Sequence, residues 1–263
     1  MDKRITVRDF ANLKARGEKI VMITAYDACQ ARWCEEAGCQ ILLVGDSMGN
    51  TVLGYETTLP VTLEESLLHT AAVRRGARKA MVIGDMPFMS YQISLEEAIR
   101  NAGRYLKECG ADAVKLEGGV TMLPVLRRLV EVGIPVIGHI GLLPQSVLKD
   151  GGYRLHGKNS EEAERLRKDA LAVQEAGAFA VVLEGIPAAL SSEITAMLTI
   201  PTIGIAAGPH CDGQVQVIAD LLNLGGSYLP RHAKMYADFY QTAVAAIKQY
   251  SQEVRDGKFP VGE

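Results

Sequence analysis

Short, unbroken apolar runs recur along this chain, and an amphipathic stretch ending in glycine precedes several of them. The glycines are Gly38 in EEAGCQILLVGD, Gly76 in VRRGARKAMVIGD, Gly110 in KECGADAVKLEGG, Gly133 in VEVGIPVIGH and Gly177 in QEAGAFAVVLEG. Each stands where a helix has to stop, because glycine adopts the left-handed C′ conformation without a Cβ clash. Helix starts carry a matching signal: Thr62 with Glu65, Ser94 with Glu97 and Asn159 with Glu162 have the capping-box spacing. The apolar runs show no polar alternation, the mark of parallel strands covered on both faces. They are IVMIT (20–24), ILLVG (41–45), AMVIG (80–84), DAVKL (112–116), PVIGH (135–139), FAVVL (179–183), PTIGI (201–205) and QVQVIA (214–219). Eight such units predict an α/β fold, a closed (β/α)8 TIM barrel with an N-terminal helix ahead of the first strand. An open doubly wound sheet is the alternative, weakened because no G-x-G-x-x-G follows the first strand. No low-complexity stretch or Pro/Gly/Ser-rich linker divides the chain, so residues 1–263 are expected to form a single barrel domain. A C-terminal amphipathic helix is expected over about 231–252.

Composition narrows the class of protein. The 263 residues are 48% hydrophobic and 22% charged, with a formal charge of −3 and no long basic run, which argues against nucleic acid as a partner. No apolar stretch reaches the ~20 residues of a membrane span, so no membrane partner is expected. MDKRITVRDF has no apolar signal core, which points to a cytoplasmic protein. The five cysteines fit reduced, mostly buried thiols. Cys29, Cys34 and Cys39 recur every five residues and do not share a helical face as metal ligands would.

In a barrel of this kind the chemistry sits at the C-terminal ends of the strands. Those ends carry Asp46, Asp85, Glu117, His139 and Glu184. Gly45-Asp46-Ser47-Met48-Gly49 also matches the G-x-S-x-G nucleophile elbow. An elbow needs a helix directly after its serine, and NTVLGYETTLP predicts none before about Thr62. GYRLHGKN (152–159) approaches a phosphate loop, but it ends in Asn159 and follows no buried strand, so a mobile loop over the barrel mouth is expected.

Gathered at one mouth, Asp46, Asp85 and Glu117 would repel by ~4 kcal/mol per pair at 4 Å and an effective dielectric near 20, on the order of 10 kcal/mol for three. Either some stay protonated or a cation sits among them. Oxygen ligation suits a hard ion such as Mg²⁺ with positions left for substrate. Lys115 lies two residues before Glu117 and should face the same way. A divalent ion that chelates a 2-oxo acid polarises the carbonyl and acidifies the neighbouring C–H, and Glu184 would serve as general base or proton shuttle. The residues alone point to metal-assisted enolate chemistry on a small oxo acid and leave the electrophile open.

The longer motifs carry a resemblance. ITAYDA (23–28), LLVGDSMGNTVLGYETTLPVT (42–62), HTAAVRRG (69–76), GDMPFMSY (84–91), VKLEGG (114–119), PVIGHIGLLPQS (135–146), GGYR (151–154) and CDGQV (211–215) together resemble the ketopantoate hydroxymethyltransferase family over nearly the whole chain. The resemblance implies a barrel of the phosphoenolpyruvate/pyruvate type, assembled as a homodecamer. It implies transfer of a one-carbon unit from 5,10-methylenetetrahydrofolate to 3-methyl-2-oxobutanoate, giving 2-dehydropantoate on the route to pantothenate and coenzyme A. Carried onto matching positions, it makes Asp46, Asp85 and Glu117 the Mg²⁺ ligands. Asp46, Ser47, Asp85 and Lys115 contact the oxo acid, His139 lines the pocket and Glu184 accepts the proton. Ser47 is then a hydrogen-bond donor.

The chain departs from the family pattern at Ala206, where glycine is usual and the added methyl is expected to narrow the space beside the seventh strand. It departs also at Leu155-His156, where lid contacts would differ, and in the short tail from Phe259 onward. Two rival functions remain at this stage. One is a Mg²⁺-dependent C–C lyase or mutase of the isocitrate lyase type, although the K-[KR]-C-G-H loop of such enzymes is missing. The other is a barrel that binds a chelated oxo acid as a sensor or scaffold.

Overall fold

The computed structural model describes residues 4–226 and 229–261. The last two residues of the short tail, Gly262 and Glu263, lie outside the described residues. The elements run α1 (Val7–Ala15), β1 (Ile20–Thr24), α2 (Ala28–Glu36), β2 (Ile41–Val44), α3 (Met48–Thr51), α4 (Leu63–Gly76) and β3 (Met81–Asp85). They continue through α5 (Leu95–Cys109), β4 (Ala113–Glu117), α6 (Leu123–Glu131), β5 (Val136–Gly141), α7 (Val147–Asp150), α8 (Ser160–Glu175), β6 (Ala180–Glu184) and α9 (Ala188–Met197). β7 (Thr202–Ile205), β8 (Gly213–Gln216), α10 (Ile218–Leu222) and α11 (Phe239–Arg255) complete the chain.

The strands close into a barrel in sequence order, β1 through β8, and each strand from β1 to β7 pairs in parallel with the next. The eight expected strands and the N-terminal helix are all present. Two apolar layers hold them. Met22, Ile41, Met81, Ile83, Ala113, Ile137, Ala180, Val182 and Ile203 fill the barrel interior. Val114, Leu116, Val136, Val181 and Leu183 join the layer beneath the helices. Strand alternation thus sorts the residues: on β4, Ala113 faces the interior while Val114 and Leu116 face the helices.

The three expected helix starts are built as anticipated. Thr62, Ser94 and Asn159 each accept a hydrogen bond from the backbone N–H of Glu65, Glu97 and Glu162. Gly38, Gly110, Gly133 and Gly177 all have positive φ. Gly76 differs, because it is the last residue of α4 and not a left-handed stop. A Cβ there would lie 2.3 Å from the carbonyl oxygen of Ala28, so glycine is needed for the close approach to α2.

Contacts divide the chain after Val215 into two compact units. In the second, two expectations are corrected. The strand expected over 214–219 ends at Gln216, because Val217 caps α10. The helix expected from about Arg231 begins only at Phe239, where the Asp238 carboxylate accepts from the Gln241 N–H. The preceding segment is drawn onto α10, with Tyr236 N–H bonded to Leu221 O and the Gln216 amide bonded to Lys234 O. None of the residues of α11 is buried.

Candidate active site

The inward rows of the barrel end in ionisable groups. Met81 and Ile83 are followed by Asp85, Ala113 by Lys115 and Glu117, Ile137 by His139, and Ala180 and Val182 by Glu184. Register places them side by side: Asp85 pairs with Lys115, Glu117 with His139 and Glu184 with Gly141. Asp46 joins them from the turn after β2. Asp46, Asp85, Lys115, Glu117 and His139 are all 4% exposed or less. Side-chain exposure of Glu184 is 19%, so its carboxylate reaches toward the mouth.

Contacts chain the groups together. Lys115 Nζ donates to both oxygens of Asp85 at 2.7 and 2.8 Å, and Asp85 Oδ2 accepts from the Asp46 backbone N–H at 3.2 Å. His139 stands between two acids, with Nδ1 3.5 Å from Glu117 Oε1 and Nε2 3.2 Å from Glu184 Oε2. These are ion-pair distances, but the ring N–H directions miss both acceptors, and Glu117 Oε1 is left as a buried oxygen without a hydrogen bond. From behind, the hydroxyls of Ser66 on α4 and Tyr105 on α5 reach the Asp85 carbonyl at 3.0 and 2.9 Å.

Electrostatics follow from burial and crowding. Burial, then the charge of Asp85, pushes the Asp46 carboxyl up to about 8 against the pull of Lys115. Burial also raises Asp85, although Lys115 opposes it. Burial disfavours the charged form of Lys115, but Asp85, Glu117 and Asp46 outweigh it and the ammonium holds its proton more tightly than usual. For His139, burial and Lys115 work against protonation, while Glu117 and Glu184 prevail and raise it to about 9. Four carboxylates face one ammonium and one imidazolium, and 4 − 2 leaves two negative charges if all ionise.

That surplus and the orphaned Glu117 oxygen suit a divalent cation, and the all-oxygen donor set suits a hard one. Among the described residues no three His, Cys, Asp or Glu side chains already converge into a finished cage. A Mg²⁺ here would complete its shell with water or substrate oxygens, as this ion habitually does.

Ser47 follows Asp46 and has a separate partner, the Tyr26 hydroxyl at 2.9 Å. The expectation that no helix follows this serine is corrected. α3 starts at Met48, with the Thr51 N–H and hydroxyl both bonded to Ser47 O. The elbow reading is not revived, because the hydroxyl pairs with a tyrosine in place of a histidine base. In GYRLHGKN, Asn159 caps α8 and the preceding element is α7, so no strand feeds a phosphate loop. His156 is buried, with its N–H on Gly185 O, while Tyr153 is exposed. Although the residue is exposed overall, partial desolvation and then the charges of Asp46, Glu184 and Glu117 raise the Tyr153 phenol.

Sequence reasoning missed the residue that ties the acids together. Gln145, in the loop after β5, donates through Nε2 to Asp46 Oδ2 and to Met86 O, both at 3.0 Å. Its backbone N–H donates to Glu117 Oε2 at 3.1 Å, and its Oε1 accepts from the Tyr91 hydroxyl at 2.7 Å. Tyr91 in turn accepts from the Glu117 N–H at 3.1 Å. Gln145, Tyr91 and Tyr26 all lie inside motifs that carry the family resemblance; that membership was the available signal.

Fold and site together define a (β/α)8-barrel protein with a buried, charged strand-end cluster. Solved structures share the fold. Phosphonopyruvate hydrolase, crystallised with oxalate and Mg²⁺, superposes with a TM-score of 0.63 at 12% identity, over 97% of this chain and 89% of that one. The 2,3-dimethylmalate lyase of the PEP mutase/isocitrate lyase superfamily gives 0.59 at 18%, over 98% and 91%. A family model described as ketopantoate hydroxymethyltransferase matches residues 4–262. The 3-methyl-2-oxobutanoate hydroxymethyltransferase of Chloroflexus aurantiacus is 55% identical over 98% of this chain and 91% of its own length. That of Thermotoga neapolitana is 56% identical over 94% and 91%. The chain belongs to the ketopantoate hydroxymethyltransferase family.

Proposed function

We propose that this protein transfers a hydroxymethyl group from 5,10-methylenetetrahydrofolate to 3-methyl-2-oxobutanoate, giving 2-dehydropantoate. The observation that carries the reading is the buried cluster Asp46–Asp85–Lys115–Glu117–His139–Glu184, in a chain related to such enzymes over nearly its whole length. Asp46, Asp85 and Glu117 would hold Mg²⁺, which when bound supplies positive charge to polarise the keto and carboxylate oxygens of the oxo acid.

The chain's own residues supply the rest. Lys115 stays charged beside Asp85 and presents a cation to substrate oxygens. Ser47, oriented by Tyr26, donates a hydrogen bond to the oxo acid. Glu184 takes the C3 proton; the C–H electrons become a C2–C3 π bond as the C2–O π pair moves onto the keto oxygen. Water supplies the hydroxyl oxygen: it opens the methylene bridge of the folate, and both C–N bonds break to give formaldehyde and tetrahydrofolate. The enolate carbon adds to the formaldehyde carbon, whose oxygen takes up a proton. General-base help of this kind is typically worth 10²–10⁴-fold. His139, protonated through neutral pH, keeps the Glu184 carboxylate in place and lines the pocket. Burial of the cluster keeps water from levelling these charges, since interactions strengthen as the local dielectric falls. A homodecamer working in the cytoplasm completes the reading.

The test is direct. With Mg²⁺, methylenetetrahydrofolate and 3-methyl-2-oxobutanoate, the protein forms 2-dehydropantoate, and Asp85→Asn and Glu184→Gln each lose at least about 100-fold. Cleavage of a larger oxo acid without any need for folate would instead favour the lyase reading.

A further inference from the structure

The end of α2 holds two cysteines in a geometry that the reaction does not use. The helix closes with a Schellman turn: Cys39 N–H bonds to Cys34 O and Gly38 N–H to Glu35 O, both at 3.0 Å, with Gly38 left-handed at φ +85°. Such turns bring the side chains of the first and sixth residues into contact. Four other helices show the same pair of bonds: at the end of α1 the slot holds Leu13 and Glu18, and at the end of α11 it holds Glu253 and Lys258. At the end of α6 the slot holds Leu129 and Ile134, and at the end of α8 it holds Val173 and Ala178, all buried apolar residues of one core. At α2 the same slot holds Cys34 and Cys39, joined by the backbone bond of the turn.

The two sulfurs differ in access. Cys34 is buried and Cys39 partly exposed. The neighbouring Cys39 thiol and burial raise the Cys34 thiol, while the neighbouring Cys34 favours the thiolate of Cys39 against the opposing effect of burial. A thiolate is the attacking species in disulfide exchange. The first and sixth residues of a Schellman turn are also joined by a backbone hydrogen bond, which keeps them near the span that a disulfide needs. Gln40 and β2 follow at once, so the pair lies at the start of β2, whereas Asp46 and Ser47 lie beyond its other end.

We propose that Cys34 and Cys39 form a redox modification site, a dithiol that closes to an intrachain disulfide by exchange with a small disulfide such as oxidised glutathione. The Cys39 thiolate attacks one sulfur of glutathione disulfide, forming a mixed disulfide and releasing one glutathione. Cys34 loses its proton to solvent and attacks the Cys39 sulfur, releasing the second glutathione. Two thiols are oxidised to one disulfide while one glutathione disulfide is reduced to two thiols. The pair is remote from the mouth, so catalysis proceeds in both forms.

The experiment treats the full-length protein with glutathione disulfide, alkylates under native and then denaturing conditions, and digests with trypsin. Cys34 and Cys39 are the two cysteines of the segment 33–74, which contains no Lys or Arg before Arg74. The expected peptide is two hydrogens lighter, takes up no alkylating agent and returns to the dithiol with dithiothreitol. In Cys34→Ser, glutathione remains on Cys39; in Cys39→Ser, position 34 stays unmodified until the protein is unfolded. Melting curves and hydroxymethyl transfer within about twofold of wild type show that the variants fold. A persistent glutathione adduct on the wild-type peptide, or full alkylation after oxidant, would overturn the proposal. So would Cys34→Ser that gains no adduct.

Discussion

Lys115 Nζ sits 2.7 and 2.8 Å from the two oxygens of Asp85, with both side chains almost wholly withdrawn from solvent. This bidentate contact joins two strands at the barrel mouth and supplies the cluster with a permanent positive charge. Removing one member of a buried pair leaves the other uncompensated, which typically costs 3–5 kcal/mol. Lys115→Met is therefore expected to lose about that much in urea unfolding, and Lys115→Met with Asp85→Leu to recover most of it. If the single variant is as stable as wild type, the pair is not held as described.

Gln145 makes a second prediction. Gln145→Ala removes the donor to Asp46 and Met86 and the acceptor of the Tyr91 hydroxyl, while the backbone bond to Glu117 survives. Partners that orient metal-holding groups are commonly worth 10–100-fold in metal affinity or activity. Calorimetric titration with Mg²⁺ is expected to show a weakening of about that size. Unchanged binding together with a lowered melting temperature would make Gln145 a packing residue only.

Ala206 is a third case. Its φ is +51°, in the left-handed region, immediately after β7. There the methyl crowds the backbone by roughly 1–2 kcal/mol, partly offset by the roughly 0.4–1 kcal/mol that glycine loses through its freer unfolded chain. Ala206→Gly is expected to leave stability unchanged or raise it by up to about 1.6 kcal/mol. Denaturant midpoints check this, and a loss beyond 1 kcal/mol would show that the alanine methyl is needed where it stands.

Protons give a fourth. The His139 pKa is raised from 6.5 to about 9, so its stabilisation is full below pH 6.5 and fades as pH rises through 9. Asp46, raised from 3.8 to about 8, binds more protons folded than unfolded across that interval, so it too makes stability fall with rising pH. Metal-free protein is expected to melt progressively lower from pH 6 to pH 9, and Asp46→Asn to flatten the slope. A melting temperature that climbs over this range would contradict the sign of both shifts.

Most of this site was legible before the structure. The strands announced themselves as unbroken apolar runs, and a period of two put Lys115 and Glu117 on one face with the interior residue Ala113. Neighbouring register then brought Asp85 beside Lys115 and His139 beside Glu117, which follows once the barrel closes in sequence order. Gln145 was not legible, because a glutamine in a loop has no spacing signature; its role arises where three strand ends converge. Tyr26 and Tyr91 were hidden likewise, being apolar in pattern and polar only at the tip. Gly76 misled because a glycine demanded by helix packing looks the same in sequence as one demanded by a left-handed turn. The start of α11 was misplaced because the Tyr236 N–H bonds to Leu221 O on α10 and Lys234 O accepts from the Gln216 amide at the end of β8, in place of about two further helical turns.

The central claim is that the barrel mouth makes C3 of the oxo acid acidic and that Glu184 takes its proton. Proton NMR of 3-methyl-2-oxobutanoate in D₂O, with the protein and Mg²⁺ but no folate, reads this step alone. The account predicts loss of the C3 proton signal with wild type, and slowing of at least about 100-fold with Glu184→Gln. A C3 signal that persists with the wild-type protein, or exchange that Glu184→Gln leaves untouched, would contradict it.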